Sequence, residues 1–226
     1  MLQEYDYWGY CDMDMVFGDL RSWFDRYDLW KYDKFLSFGH LTLMRNTSEN
    51  NQRFRLPCTP GKGYEDAFKA PGSTHFCEAE INRIYNCYGF PFFQQRICAD
   101  IDWIYRRMRL SGDFPDYKYQ AFFWQEGKVW RAYKKWYPIG FYYRLEVEEF
   151  PYIHFQKRNM QPASFDAAQV SRYYICRDHF EEKTALGYPA EIDLKKMNPY
   201  PGRAYEWFEK IFKVGVPAFF HKFHKS

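Results

Sequence analysis

The chain has no apolar run near the length of a membrane span and no positively charged leader followed by a short apolar stretch. It therefore reads as neither a membrane-spanning nor a secreted protein. Cys-x-x-Cys is absent too: Cys11, Cys58, Cys77, Cys87, Cys98 and Cys176 are scattered without zinc-like spacing. That argues against a zinc ribbon or finger and leaves free thiols in a reducing cytosol as the simplest reading. A net charge of +3 is too small for the electrostatic footprint of a nucleic-acid binder. There is no internal repeat and no low-complexity tract. Aromatic residues, by contrast, make up 23% of the 226 residues. They suit either ring-stacking clefts or a bulky core, and the length suffices for a sizeable one.

The stretch from Tyr5 to Leu20 organises the rest. It opens on aromatic and apolar residues that suit a buried strand. Asp12 and Asp14 then follow with one residue between them, a spacing that puts both carboxylates on one face of a strand. Two such carboxylates repel unless a cation lies between them, and an oxygen-rich pair suits Mg²⁺ or Mn²⁺. A bare Asp-x-Asp is also a common solvated turn. Here Gly18 permits a sharp exit, and Asp19 can cap a helix from Leu20.

Further along, Leu20–Tyr27 reads as a short amphipathic helix and Lys34–Phe38 as a strand. Gly39–Asn46 alternates as a half-buried strand does, with His40 and Thr42 on one face. Ser48 can cap a helix through Phe54, and 57–63 is a Pro/Gly loop. Thr74–Tyr88 has helical spacing, with Glu78 and Glu80 near its start, where they either compensate the helix dipole or act in chemistry. Asp100 and Asp102 repeat the Asp-x-Asp spacing ahead of a helical-looking Trp103–Arg109, and read as structural. Tyr119–Gln125 and Lys128–Lys134 flank Glu126-Gly127 as a hairpin. Phe141–Glu148, Tyr152–Phe155 and Val170–Cys176 are strands, and Tyr200–Val214 is a final helix. His154, Lys157 and Arg158 form a compact polar group at a strand end: a metal ligand beside two phosphate-pairing cations, or a solvated edge. The basic aromatic tail Phe219–Lys225 reads as a frayed end or as a peripheral contact with an anionic membrane.

Three segments, Tyr7–Asp19, Gly39–Asn46 and Tyr152–Arg158, together resemble a bacterial family of polysaccharide glycosyltransferases of the GT-A type. The resemblance covers roughly Tyr5 to Met160. It implies an α/β fold: a GT-A-like mixed sheet with flanking helices, in a single domain over 1–226. Its core would occupy 1–160, with a strand and helical extension over 161–226. It further implies a nucleotide-sugar donor, a glycan or polysaccharide acceptor and bound Mn²⁺ or Mg²⁺. Asp12, Asp14 and His154 match the metal ligands, and Lys157 and Arg158 the cations facing the diphosphate. His40 and Arg45 of the middle segment join them as donor-binding candidates. Glu78 or Glu80 is the candidate base for an acceptor hydroxyl in an inverting reaction. The expected location is cytoplasmic, at the inner face of the membrane if the tail engages it.

Only eleven residues precede Asp12, whereas one βαβ unit takes about 30. The resemblance thus implies an N-terminally truncated domain: the gene start is misplaced, the chain is a natural fragment, or another polypeptide supplies the nucleobase-binding half. Two other readings compete. One is a non-catalytic, transferase-like module that binds a glycan or a partner. The other is a haloacid-dehalogenase-type phosphatase with Asp12 as nucleophile and Asp14 as acid/base.

Overall fold

The computed structural model describes residues 4–61, 63–69 and 76–215. The fold is mixed α/β, as expected. In chain order it runs β1 (Tyr7–Cys11), β2 (Met15–Phe17), α1 (Leu20–Arg26), β3 (Lys34–Phe35), β4 (Leu41–Arg45), α2 (Tyr64–Lys69), α3 (Glu78–Tyr88), β5 (Phe92–Phe93) and β6 (Ala99–Asp100). It continues with β7 (Gln120–Gln125), β8 (Lys128–Tyr137), β9 (Tyr142–Phe150), β10 (Tyr152–His154), β11 (Arg172–Ile175), β12 (Phe180–Glu182), α4 (Glu191–Met197) and α5 (Arg203–Val214). The chain forms two compact units, Met1–Met13 with Arg21–Arg96, and Asp14–Leu20 with Ile97–Ser226. The division expected near residue 160 falls inside the second unit. The tail from Phe219 and the expected helix start at Thr74 lie outside the described residues.

In the first unit a sheet runs in the order β1-β4-β3-β5, antiparallel except for β3 beside β5. β1 is its edge and is half-exposed rather than buried. Gly9 sits opposite Leu43, and a Cβ there would come within 2.1 Å of the Thr42 carbonyl oxygen. Only glycine lets β1 lie this close to β4. The core is aromatic: Phe35 and Phe93 stack with ring centroids 4.4 Å apart, and Phe24 meets Phe35 edge-on. Tyr85 of α3 is fully buried and donates to Asn50 Oδ1 at 2.6 Å, and burial pushes its phenol up to about 12. Lys34 is also fully buried. Its ammonium lies 4.5 Å over the Phe92 ring and donates to the Leu36 carbonyl.

Several local expectations change in this unit. β3 stops at Phe35 because Leu36 takes φ +71°. Asn50–Arg55 is a 3₁₀ helix, and Thr47 Oγ1, not Ser48, accepts the Asn50 N–H at 3.1 Å. Cys58 and Cys87 are joined in a disulfide, which corrects the reading of six free thiols. The bridge links the loop after the 3₁₀ helix to the last turn of α3, a proximity made by tertiary packing and invisible in cysteine spacing. The other four cysteines lie outside any disulfide.

The second unit holds a five-stranded antiparallel sheet, β12-β11-β7-β8-β9, and a three-stranded sheet, β2-β10-β6. The β7–β8 hairpin turns at Glu126-Gly127, both at positive φ, as a two-residue type I′ turn requires. Alternation along β7 feeds two cores. Phe122 packs with Val129, Phe150, Ile153 and Ile175, while Ala121 and Phe123 pack with Ala132, Leu194 and Met197 under α4. Gly18 has a role other than a flexible exit. A Cβ there would lie 2.9 Å from the Val129 nitrogen, and its own N–H donates to the Pro151 carbonyl at 2.8 Å. Close approach of two backbones, not a turn, requires this glycine. Trp103–Arg109, expected as a helix, is a run of turns and bends.

Candidate functional site

The short strands of the second unit converge on His154. β10 lies between β2, antiparallel with His154 opposite Met15, and β6, parallel with His154 beside Asp100. Strand register thus brings together residues distant in sequence. His154 Nδ1 lies 2.9 Å from Asp100 Oδ1, and Nε2 lies 3.4 Å from Asp14 Oδ1. The other Asp100 oxygen accepts Ser111 Oγ at 2.7 Å. Asp14 is fixed from the far side: its carbonyl accepts the Phe155 N–H at 3.0 Å and its Oδ2 the Lys157 N–H at 3.3 Å. His154 and Asp100 are buried, whereas the Asp14 side chain is 37% exposed. Asp100 is the natural acceptor for Nδ1–H, which directs Nε2 toward Asp14. Ligand histidines in metal sites are oriented by a carboxylate in the same way.

Beside this centre the chain turns through Gln156 and Lys157, both at positive φ. Two consecutive non-glycine residues in the left-handed region are strained, and the strain aims the Lys157 N–H at Asp14. Past the turn lies an open cavity of about 300 Å³, with Trp103, Arg106, Lys157, Arg158, Arg177 and Lys213 on its walls beside the acid Asp178. Arg158 builds this wall rather than reaching into it. Its guanidinium donates to the carbonyls of Arg106 and Tyr105 at 2.8 Å and to those of Asp102, Arg107 and Arg177 at 3.2–3.3 Å. Burial, then the neighbouring Arg177, lowers its pKa from the ordinary arginine value. Lys157 is exposed, its ammonium 5.9 Å over the Trp103 ring.

The remaining expected residues belong to the first unit. Asp12 follows β1, is exposed, and its N–H donates to the His40 carbonyl at 2.9 Å. The Asp-x-Asp pair therefore does not share a strand face: β1 ends at Cys11, β2 starts at Met15, and the fully exposed Met13 lies in the bend between. His40 is buried and its ring stacks on Phe38, centroids 5.2 Å apart. Arg45 is engaged by Asp33 at 3.1 Å and by the carbonyls of Trp30 and Tyr32. Glu80 accepts from both the backbone N–H and the thiol of Cys77 at the start of α3, and the thiol contact leads in holding its carboxyl below the usual range. Glu78 instead lines a cavity of about 470 Å³ whose floor is Trp8, Tyr10 and Met44 and whose walls include Phe54 and Phe76.

Residues 1–184 match the model of a family described as "Family of unknown function (DUF6625)". The chain belongs to this family. The DUF6625 match takes in Asp12, Asp14, Glu78, Asp100, His154 and the Lys157 turn, while Lys213 and α5 lie beyond it. No curated protein and no solved structure matches the chain.

Within the DUF6625 span, sequence reasoning passed over the structure's main addition, Asp100. Its Asp-x-Asp spacing was visible, but its partner is 54 residues away and is reached only through the parallel β6–β10 pairing. Asp102, its partner in that spacing, caps a local turn by accepting the Ile104 N–H at 2.9 Å. Arg106, Arg177 and Lys213 carried no motif at all and are gathered by the Arg158 carbonyl cluster and by α5.

Proposed function

We propose that this chain carries the metal and diphosphate side of a glycosyltransferase, moving a sugar from a nucleotide-sugar donor to a glycan or polysaccharide acceptor. One observation carries the reading: His154, oriented by Asp100 toward the open Asp14 carboxylate, shares a turn with a cavity walled by cations. The donor set fits Mn²⁺ or Mg²⁺, with carboxylate oxygens from Asp14 and one imidazole nitrogen. Asp12, the other carboxylate of the pair, lies in the first unit. When bound, the cation neutralises charge developing on a leaving diphosphate.

The protein's own groups do the rest. Lys157, Arg106, Arg177 and Lys213 pair with phosphate oxygens in an open cavity, and Arg158 holds its wall in shape. Of the two candidate bases, Glu78 faces a cavity of the first unit and Glu80 is engaged at its helix start, so Glu78 remains the candidate base for an inverting reaction. No helix among the described residues is long and apolar enough to cross a membrane. A cytoplasmic setting is part of the proposal; the Cys58–Cys87 bridge counts against a reducing cytosol, so the redox state of that pair in the cell tests it.

The test is calorimetric titration of nucleoside diphosphates and nucleotide sugars into the chain, with and without Mn²⁺. Wild type should bind in a Mn²⁺-dependent manner, and Asp14→Ala should stay folded and lose about tenfold or more in affinity, with a stability cost of about 1–3 kcal/mol from the lost Lys157 and His154 contacts. Unchanged Mn²⁺-dependent affinity in Asp14→Ala overturns the metal assignment. Glycan binding without any response to nucleotide would instead support the non-catalytic module.

A further inference from the structure

The hairpin at one edge of the five-stranded sheet carries a second set of donor atoms, separate from the Asp14–His154 centre. β11 ends at Ile175, Cys176 follows, and the chain turns through Arg177–His179 into β12. The Cys176 N–H donates to the His179 carbonyl at 2.9 Å and closes the turn. Cys176, His179 and Glu181 are thereby gathered at one end, with one donor atom from each within 4.8 Å of the other two. Ligand atoms around a tetrahedral zinc lie about 3.5 Å apart, given bonds of about 2.0–2.3 Å. Rotamer-scale closure bridges that difference.

Two of the three side chains are already oriented by a neighbouring charged group. His179 Nδ1 lies 2.8 Å from Asp178 Oδ1, which orients the ring and leaves Nε2. That is the carboxylate–histidine pairing used by metal ligands. Glu181 Oε1 accepts from Lys183 at 2.7 Å, while Oε2 lies 4.0 Å from the Cys176 sulfur. Cys176 itself is buried, yet it lines a cavity of about 190 Å³ together with His179, Glu181 and Lys196. An ion seated among the three donors would have room beside it for a further ligand.

We propose that Cys176, His179 and Glu181 bind a zinc-type transition-metal ion, with a fourth coordination position open to that cavity. Sulfur and imidazole in the donor set select such a metal over the hard cations assigned to Asp14 and His154. Cysteine spacing alone gave no sign of this site, because its pattern is Cys-x-x-His-x-Glu, with a single cysteine and mixed donors.

Co²⁺ titration of the full chain tests the site, since a thiolate-to-cobalt charge-transfer band reports a cysteine on the metal. Wild type should show that band saturating at one equivalent and disappearing when one equivalent of Zn²⁺ is added. Cys176→Ser should abolish the band. His179→Ala, an exposed position that leaves the hairpin intact, should weaken Co²⁺ binding by about tenfold or more. Asp14→Ala should leave the band unchanged, which separates this site from the other. Absence of the band in wild type, or its persistence unaltered in Cys176→Ser, overturns the proposal.

Discussion

Replacing Lys34 by Met should flatten the dependence of stability on pH. Lys34 is fully buried, and desolvation, partly offset by the Glu78 charge, lowers its pKa from 10.5 to about 7. Below pH 7 the lysine is charged in both the native and the unfolded chain, and burying that charge destabilises the native state in full. Between pH 7 and 10.5 the unfolded chain still holds a proton that the native state has released, so stability rises with pH. Above 10.5 the group is neutral in both states and the slope vanishes. One pH unit inside the window is worth about 1.4 kcal/mol. Half-titration at pH 7 trims the first step, so the wild-type gain from pH 7 to pH 9 is about 2 kcal/mol. Methionine keeps most of the apolar stem without the charge and gives up the ammonium's contact with the Phe92 ring. It leaves the Leu36 carbonyl without its donor, a pH-independent cost of about 1–3 kcal/mol. Guanidinium unfolding of both proteins at pH 7, 8 and 9 isolates the difference in slope, because every other titrating group is common to both. Parallel profiles would refute the reasoning.

Two further outcomes follow from the geometry. Asp100→Asn keeps an oxygen for His154 and a polar group for Ser111, yet weakens the hold on the imidazole, so Mn²⁺ affinity should fall about 10–100-fold with the fold retained. Wild-type Mn²⁺ affinity in a folded Asp100→Asn protein would remove its positioning role. The Cys58–Cys87 bridge closes a loop with a sequence separation of 29. Chain entropy values such a loop at about 3–4 kcal/mol, so Cys58→Ser should lose that much in oxidised protein and nothing in reduced protein. Equal stability of wild type with and without reductant, together with a full count of reactive thiols, would show that the bridge does not form.

Much of the second unit was legible in sequence because its signals are local. Glu126-Gly127 between two alternating aromatic runs marks the β7–β8 hairpin, and the strands that follow carry their own periodicity. Trp103–Arg109 misled for a physical reason: its carbonyls, which a helix would use internally, are collected by the Arg158 guanidinium. The acidic pair stood out in the sequence, but its geometry did not. Its residues stand where the chain leaves the β1–β4 pairing and enters the β2–β10 pairing, so a strand face was the wrong frame. His154 was found because it sits among basic residues at a strand end. Asp100 needed a parallel register that sequence does not display, and Arg45 needed knowledge of Asp33 and the carbonyls around it.

The seven-residue segment from Asp14 to Leu20 is built into a unit whose other residues all come from Ile97 onward. During synthesis, β2 therefore leaves the ribosome long before β10 exists to receive it. At about 5–20 residues per second the wait is roughly 7 to 30 s. Through that interval Met15, Val16 and Phe17 have no partner strand, and the first unit can form around them while they hang outside it. Assembly of the Asp14–His154 centre is thus among the last events of biogenesis. A nascent chain arrested before Tyr152 should hold a folded first unit, an unpaired apolar strand and a demand for chaperones, but no Asp14–His154 pairing.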